Sequence, residues 1–273
     1  VVAREDFLRL KRIVGYAKTY GVKVIVVLDP LPRAKEADFW MSEERIVSLE
    51  NVWRDLARQY ANEPVVAAFD LLNEPYPPDA NSWSGGSDMW FVLAERFAKV
   101  IRQQAPYHAL IVESAPIALP GAFEKLKPIS FKNSVYSFHF YEPHRLTHQG
   151  ILGFPIGLNY PGVVPGRGYW DKGRLSEYLE PVRKFEAQYA VPIQVGEVGF
   201  IRWGPAGARS RYIKDFLDLV YQEQWGWLYH SYREWEGWDS EIDSNSKDIK
   251  DRSFRSHDFE LIKFYFKLPS KSK

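Results

Sequence analysis

The chain contains no cysteine among its 273 residues, which excludes disulfide bonds, cysteine-ligated zinc and thiol catalysis. It also lacks an excess of either charge, because 36 Lys and Arg residues oppose 35 Asp and Glu residues, for a net charge of +1. This balance excludes the strongly basic surface typical of nucleic-acid-binding proteins, and we expect no nucleic-acid partner. No apolar run approaches the roughly 20 residues that a membrane-spanning helix needs, so we expect no membrane partner.

Aromatic residues are abundant by contrast. Phe, Trp and Tyr make up 16% of the chain, and 10 of its residues are Trp. Such side chains pack in cores, but they also stack on flat apolar faces of ligands while bonding polar edges. Sugar rings have faces and edges of this kind. The composition therefore favours a carbohydrate partner, with extensive core packing as the alternative explanation.

Short apolar runs alternate with amphipathic segments along the chain. The runs have the length of buried strands and cover 22–28, 65–72, 108–113, 134–140, 192–197 and 225–232. Helical spacing of apolar residues follows at 5–20, 43–60, 88–104, 174–189, 209–224 and 257–267. This alternation predicts an α/β fold with a parallel sheet, of the TIM-type (β/α)8 class, in one domain over residues 1–273. Because the runs number six rather than eight, we expect an incomplete barrel that lacks one or two βα units at its N-terminus.

Two segments have no clear period. Residues 143–170 are rich in Gly, Pro and aromatics, and a loop of this length is typically functional. Trp170 at its end and Trp203 are therefore candidate sugar-stacking platforms. The charged stretch 236–256 follows the last strand, and we expect it to be a solvated excursion.

Acidic residues lie at the ends of three of the predicted strands. Glu113 ends the run 108–113, where we expect either a contact with the site or a structural hydrogen bond. Asn73, Glu74 and Pro75 follow the run 65–72, and Glu197 ends the run 192–197 between two glycines. The carboxyl ends of barrel strands are where such enzymes place their catalytic groups. A pair of carboxylates is the equipment that glycosidic bond cleavage requires.

Together with His139 and Tyr141 in Phe-His-Phe-Tyr, these motifs resemble glycoside hydrolase family 5, the cellulase-like retaining (β/α)8 barrels. The resemblance spans nearly the whole chain and implies that Glu74 is the acid/base and Glu197 the nucleophile. It also implies that Asn73 binds the sugar 2-hydroxyl, while His139 and Tyr141 hydrogen-bond the substrate and the surroundings of the nucleophile. The implied activity is hydrolysis of β-linked glucan or mannan-type poly- or oligosaccharides through a covalent glycosyl-enzyme.

The chain departs from the family pattern at three places. No segment matches the arginine that ends the family's second strand, and the Asp-x-His of its third strand reads Asp29-Pro30-Leu31 here, without histidine. A stacking tryptophan is expected after the last strand. We predict Trp235 as this residue and Trp227 as core, with His230 as an alternative occupant of the family's tryptophan position.

Several alternatives stay open at this stage. The chain fits a retaining glycosidase of another family in the same clan, or a catalytically silent or carbohydrate-binding barrel, since supporting residues are missing. The polysaccharide and the choice between endo and exo action are undetermined. We expect no cofactor and no metal, since Glu142, His144 and His148 are better explained as a solvated cluster than as a zinc site. The full-length protein is expected to be a monomer, and the substrate class favours an extracellular or periplasmic location.

Overall fold

The structure is a computed structural model that describes residues 4–29, 37–80, 86–243, 246, 248–250 and 256–269. The chain divides into two compact units. The first comprises Val1–Ser137 and Pro181–Ile193, and the second comprises Phe138–Glu180 and Gln194–Lys273. Within the described residues, no helix combines the length and the apolar character needed to cross a membrane.

All six predicted strands are present in one sheet of parallel strands. They are β1 (Val24–Val27), β2 (Val66–Asp70), β3 (Ala109–Glu113), β4 (Ser134–Phe140), β7 (Ile193–Val198) and β8 (Gly226–Tyr229), and the sheet order is β1-β2-β3-β4-β7-β8. Two further strands, β5 (Gly162–Val164) and β6 (Gly168–Trp170), form a separate antiparallel pair. The predicted α/β class is confirmed, whereas the hairpin β5–β6 lies in the stretch that we expected to be irregular.

The helices also follow the predicted segments. They are α1 (Arg4–Tyr20), α2 (Ala37–Met41), α3 (Glu43–Tyr60), α4 (Asp88–Gln104), α5 (His144–Thr147), α6 (Lys172–Tyr178), α7 (Glu180–Tyr189), α8 (Ala208–Glu223) and α9 (His257–Phe266). Serine N-caps fix the first residues of α3, α4 and α9, since each serine hydroxyl accepts a hydrogen bond from a first-turn N–H. The predicted helix 174–189 is two helices, because Pro181 cannot lie in a helix interior and is tolerated only in a first turn.

In the first unit, β2 lies between β1 and β3. Phe69 pairs with Val26 on one side and with Leu110 on the other, and Phe69 and Leu110 are fully buried. Such continuous burial is typical of parallel strands that are covered on both faces. Asp70 pairs with Ile111, so the residues that follow β2 emerge beside the end of β3.

In the second unit, β7 pairs with β8, with an irregularity between Val195 and Val198. The ladder continues one residue past β8, because the N–H of His230 donates to the carbonyl of Val198 at 2.9 Å. His230 therefore lies beside the end of β7.

The expectation that 236–256 is a solvated excursion is wrong for the first part of this segment. Asp239, Glu241 and Ile242 are buried, whereas 248–250 are exposed, and residues 244, 245, 247 and 251–255 lie outside the described residues. The reason is a buried arginine: Arg209 of α8 donates to the carbonyl of Ile242 at 3.0 Å and to the carboxylate of Asp258 in α9 at 2.7 Å. One guanidinium thus supplies buried partners to both segments.

Candidate active site

Asn73 and Glu74 belong to the first unit and follow directly on β2. The N–H of Asn73 donates to the carbonyl of Leu28 at 2.8 Å, and the N–H of Leu71 donates to the carbonyl of Ile111 at 3.1 Å. The turn after β2 is therefore attached to both neighbouring strands. Glu74 itself has a φ of +44°, a left-handed conformation that is uncommon for a residue other than glycine and that is found preferentially at functional sites.

A second carboxylate holds this backbone conformation. Glu113 ends β3, is 1% exposed, and accepts a hydrogen bond of 2.7 Å from the N–H of Glu74. Its own carbonyl accepts a bond of 2.7 Å from the indole N–H of Trp90. The side chain that ends β3 thus orients the predicted acid/base through the main chain.

Glu197, the predicted nucleophile, belongs to the second unit and lies in β7 one residue before its end. The hydroxyl of Tyr141 donates a hydrogen bond of 2.6 Å to Oε2 of Glu197. His139 is 4% exposed, and its Nδ1 lies 3.6 Å from the same oxygen. The structure therefore brings together three of the residues predicted from the sequence, with Tyr141 as the direct hydrogen-bond donor.

Glycine at position 199 allows a close crossing beside this carboxylate. A Cβ atom at Gly199 would collide with the carbonyl oxygen of His230, and it would lie 3.3 Å from Cε1 of Tyr141 and 3.4 Å from Cε3 of Trp238. The second glycine of Gly-Glu-x-Gly is thus required by space.

Aromatic rings surround Tyr141. The ring centroids of His148, Trp238 and His230 lie 5.1, 5.6 and 6.2 Å from that of Tyr141, and His148 and Trp238 also contact each other at 4.9 Å. Sequence reasoning missed Trp238 because it lies in the stretch interpreted as solvated. In the sequence, the only indication of Trp238 is that it is a second tryptophan close to Trp235.

The expectation of a solvated cluster at Glu142, His144 and His148 is wrong. Glu142 is 6% exposed, and its carboxylate lies 3.5 Å from Nδ1 of His144 and 2.9 Å from the guanidinium of Arg167. Burial by itself would raise the pKa of Glu142, but His144 and Arg167 outweigh it, so the pKa of this carboxyl lies below its usual value. The carboxylate of Glu142 is therefore already engaged by Arg167 and His144.

The remaining aromatic candidates differ in exposure. Trp235 is 41% exposed, and its ring meets that of Trp203 edge-on at 5.4 Å. Trp203 donates its indole N–H to the carbonyl of Gln149 at 2.9 Å. Trp170 is fully buried, so its interpretation as a sugar platform is wrong. The residues that replace the family's third-strand motif lie mostly outside the described part, since Asp29 is described and 30–32 are not.

Comparison with known protein families assigns the chain to one of them. The model described as Cellulase (glycosyl hydrolase family 5) matches residues 2–253. The chain belongs to this family. Endoglucanase C of Acetivibrio thermocellus is 24% identical over 263 residues, a match that covers 84% of this chain and 74% of the relative.

Solved structures agree with the family assignment at the level of the fold. Thermotoga maritima Cel5A in complex with cellobiose has a TM-score of 0.77 at 21% identity, covering 97% of this chain and 79% of that chain. The same protein in complex with mannotriose has a TM-score of 0.70 at 22% identity, covering 87% of this chain and 73% of that chain. The predicted resemblance to cellulase-like TIM barrels is thus confirmed.

Proposed function

We propose that this family 5 protein is a retaining glycoside hydrolase in which Glu197 is the nucleophile and Glu74 the acid/base. The single observation that carries the proposal is the hydrogen bond of 2.6 Å from Tyr141 to Oε2 of Glu197, at the carboxyl end of a barrel strand. A donor of this kind fixes the direction of the carboxylate, which a nucleophile requires.

In the first half of the reaction, the carboxylate of Glu197 attacks the anomeric carbon of the sugar. The bond from this carbon to the glycosidic oxygen breaks, and the carboxylic acid of Glu74 gives its proton to the departing oxygen. The products are a free alcohol end and a glycosyl ester on Glu197. Glu74 is left ionised.

In the second half, water attacks the same carbon and gives a proton to Glu74. The ester bond to Glu197 breaks, the sugar leaves with its original anomeric configuration, and both carboxyl groups return to their starting states. In this scheme, Asn73 binds the 2-hydroxyl and His139 bonds the sugar beside the nucleophile. Water is the only co-reactant in this scheme.

The proposed substrates are β-linked glucan or mannan-type oligo- and polysaccharides. Support comes from the curated relatives, which include endoglucanases, and from the related Cel5A, which was solved with cellobiose and with mannotriose. Trp235 is the proposed stacking platform, because it is the exposed tryptophan in the segment after β8 and a flat indole fits the apolar face of a pyranose.

Azide rescue tests the role of the nucleophile. Glu197→Ala should lose turnover on an aryl β-cellobioside and regain part of it with sodium azide, because the small anion enters the vacated space and attacks the same carbon. The expected product is the glycosyl azide of inverted configuration. An azide product of retained configuration would assign the nucleophile to another residue.

Leaving-group dependence tests the role of Glu74. Glu74→Ala should lose most of its kcat/KM on substrates with poor leaving groups and little of its kcat/KM on dinitrophenyl glycosides, which need no protonation to depart. Its kcat should fall on both substrates, because the second half of the reaction also uses Glu74. Equal losses of kcat/KM on both substrates would contradict proton donation. Binding of cello- or manno-oligosaccharides by the wild-type protein without any hydrolysis would favour the carbohydrate-binding alternative.

A further inference from the structure

His230 occupies a fixed position at the end of β8. Its N–H is bonded to Val198, and its carbonyl oxygen lies against Gly199, where any larger residue would collide with it. The peptide groups on both sides of His230 are therefore fixed relative to β7. Because Glu197 directly precedes Val198, the backbone of His230 is held close to the proposed nucleophile.

The imidazole lies between two carboxylates. Its Nδ1 is 3.5 Å from Oε2 of Glu197, and its Nε2 is 3.3 Å from Oε2 of Glu234. The 3.5 Å separation from Glu197 is longer than an ordinary hydrogen bond. The ring of Trp238 meets the imidazole edge-on at 5.8 Å, and that of Tyr141 does so at 6.2 Å, so aromatic surfaces limit its rotation.

Three groups converge on one oxygen of the nucleophile. The Tyr141 hydroxyl and the Nδ1 atoms of His139 and His230 all approach Oε2 of Glu197. An ionised carboxylate only accepts hydrogen bonds, so it favours an N–H on any ring nitrogen that it faces.

We propose that His230 is a positioning residue for the nucleophile, oriented by Glu234, and that it keeps Oε2 of Glu197 engaged so that Oε1 attacks the sugar. This inference rests on the proposed function and adds two residues to it. Glu234 holds the ring, the ring and Tyr141 hold Oε2, and the carboxylate plane is thereby fixed. In the glycosyl-enzyme, the same donors face Oε2 of the ester and stabilise the carboxylate as it departs.

Three variants separate the parts of this arrangement. His230→Phe keeps a planar ring but removes both nitrogens, whereas His230→Asn keeps an N–H donor near the position of Nδ1. We expect His230→Phe to lower kcat roughly ten- to a hundredfold with little change in KM, as for loss of a polar contact with the proposed nucleophile, and His230→Asn to restore most of it. Glu234→Gln should lower kcat only about two- to fivefold, because Glu234 is largely exposed.

A double variant tests whether Glu234 acts through His230. The loss caused by Glu234→Gln should vanish in the His230→Asn background, since asparagine is too short to reach Glu234. Additive losses would overturn the coupling. His257→Asn is the matched control, because His257 is an exposed histidine of the same unit at the start of α9, and it should leave kcat unchanged.

A 2-deoxy-2-fluoro-β-cellobioside provides a single-turnover measurement, since it labels the nucleophile and the label is located by peptide mass spectrometry. If the wild-type protein is labelled on Glu197 and His230→Phe is labelled more slowly at equal affinity, the inference is supported. Equal labelling rates in wild type, His230→Phe and His257→Asn would overturn the inference alone. An unlabelled wild-type Glu197 would overturn the proposed function and the inference with it. Thermal unfolding of each variant detects any folding defect. If His230→Phe does not fold, the labelling rate of His230→Asn is compared with that of the wild type instead.

Discussion

The hydroxyl of Tyr141 donates a hydrogen bond to Oε2 of Glu197 across 2.6 Å. Tyr141 follows directly on β4 and Glu197 lies near the end of β7, so two strands of the sheet are coupled through one short polar contact. Hydrogen bonds to charged groups are about twice as strong as those between neutral groups. The contact therefore both orients the carboxylate of Glu197 and stabilises negative charge on it.

Tyr141→Phe removes only this hydroxyl. We expect kcat to fall roughly ten- to a hundredfold, because a hydrogen bond to the proposed nucleophile is lost while the ring and its packing remain. Steady-state kinetics on an aryl β-cellobioside measure the effect, and KM should change little. Tyr169→Phe, at an exposed tyrosine of β6, should behave like wild type. A Tyr141→Phe enzyme with unaltered kcat would contradict the assigned role.

Gly199→Ala should destabilise the protein by about 1–3 kcal/mol, because the new methyl group overlaps the His230 carbonyl and the strand must shift. Urea unfolding measures the change, and kcat should fall with it because His230 moves. Gly226→Ala in β8 is the control, since a Cβ there would meet only Cγ of Gln194 at an ordinary 3.8 Å. Equal stability of the two variants would disprove the close crossing.

Glu113→Ala should lower the free energy of unfolding by about 1–3 kcal/mol, since it leaves the partly buried N–H of Glu74 without its acceptor. It should also lower kcat, because the left-handed conformation of Glu74 loses its support. Glu113→Gln keeps an acceptor oxygen at the same position and is expected to retain more stability and more activity. Indistinguishable glutamine and alanine variants would show that the acceptor oxygen is unimportant.

Asp218 provides a prediction for pH dependence. Burial opposes its ionisation, but hydrogen bonds from Lys172, Tyr265 and Lys214 outweigh burial and lower the pKa of this carboxyl to about 2. A folded-state pKa below the unfolded value stabilises the fold above about pH 4, and this stabilisation is lost as the pH falls towards 2. Asp218→Asn should therefore unfold more easily than wild type by about 2 kcal/mol at pH 7, and the difference should shrink below pH 4.

Asp55→Asn is the control for this titration. Asp55 pairs with Arg58 at 2.7 Å on α3, but its side chain is 56% exposed, and exposed pairs contribute roughly 0–1 kcal/mol. Urea unfolding of both variants from pH 7 to pH 2.5 makes the comparison. If the Asp218→Asn difference stays constant over this range, the ion pairs of Asp218 do not stabilise the fold.

Trp235→Ala should raise KM for cello- or manno-oligosaccharides about tenfold with little change in kcat on activated aryl glycosides, since one stacking surface is lost. Because only 41% of the side chain is exposed, the loss of its buried part should also lower the free energy of unfolding, which urea unfolding measures. Tyr107→Ala is the control: Tyr107 is 88% exposed and precedes the amino end of β3, the end away from catalytic groups in barrels. An unchanged KM for Trp235→Ala would transfer the stacking role to another aromatic residue.

The apolar runs predicted the parallel strands well, because burial on both faces gives continuous hydrophobic segments that end where the strands end. The position of Glu113 was predictable for the same reason. A carboxylate at the end of a buried run lies at the carboxyl edge of a parallel sheet, although its hydrogen bond to Glu74 could not be read from the sequence. The three-residue strands β5 and β6 have no such signal, as they are too short for a period to appear.

Trp238 and Ile242 show why other parts of the site were missed. The burial of Ile242 depends on Arg209, and the ring contacts of Trp238 depend on Tyr141, His148 and His230. No local pattern in 236–243 reports those contacts. Likewise, His230 was recognised only as a departure from the family, since its position between Glu197 and Glu234 results from the β7–β8 register and not from its neighbours in sequence.

The bonds from Arg209 to Ile242 and Asp258 have a practical consequence for anyone engineering this protein. Through this one guanidinium, helix α9 anchors the segment that carries Trp238, whose ring contacts those of Tyr141 and His230. Fusion tags, linkers or immobilisation chemistry that separate Asp258 from Arg209 should therefore displace this segment, whereas attachment at the exposed Tyr169 of β6 involves neither residue.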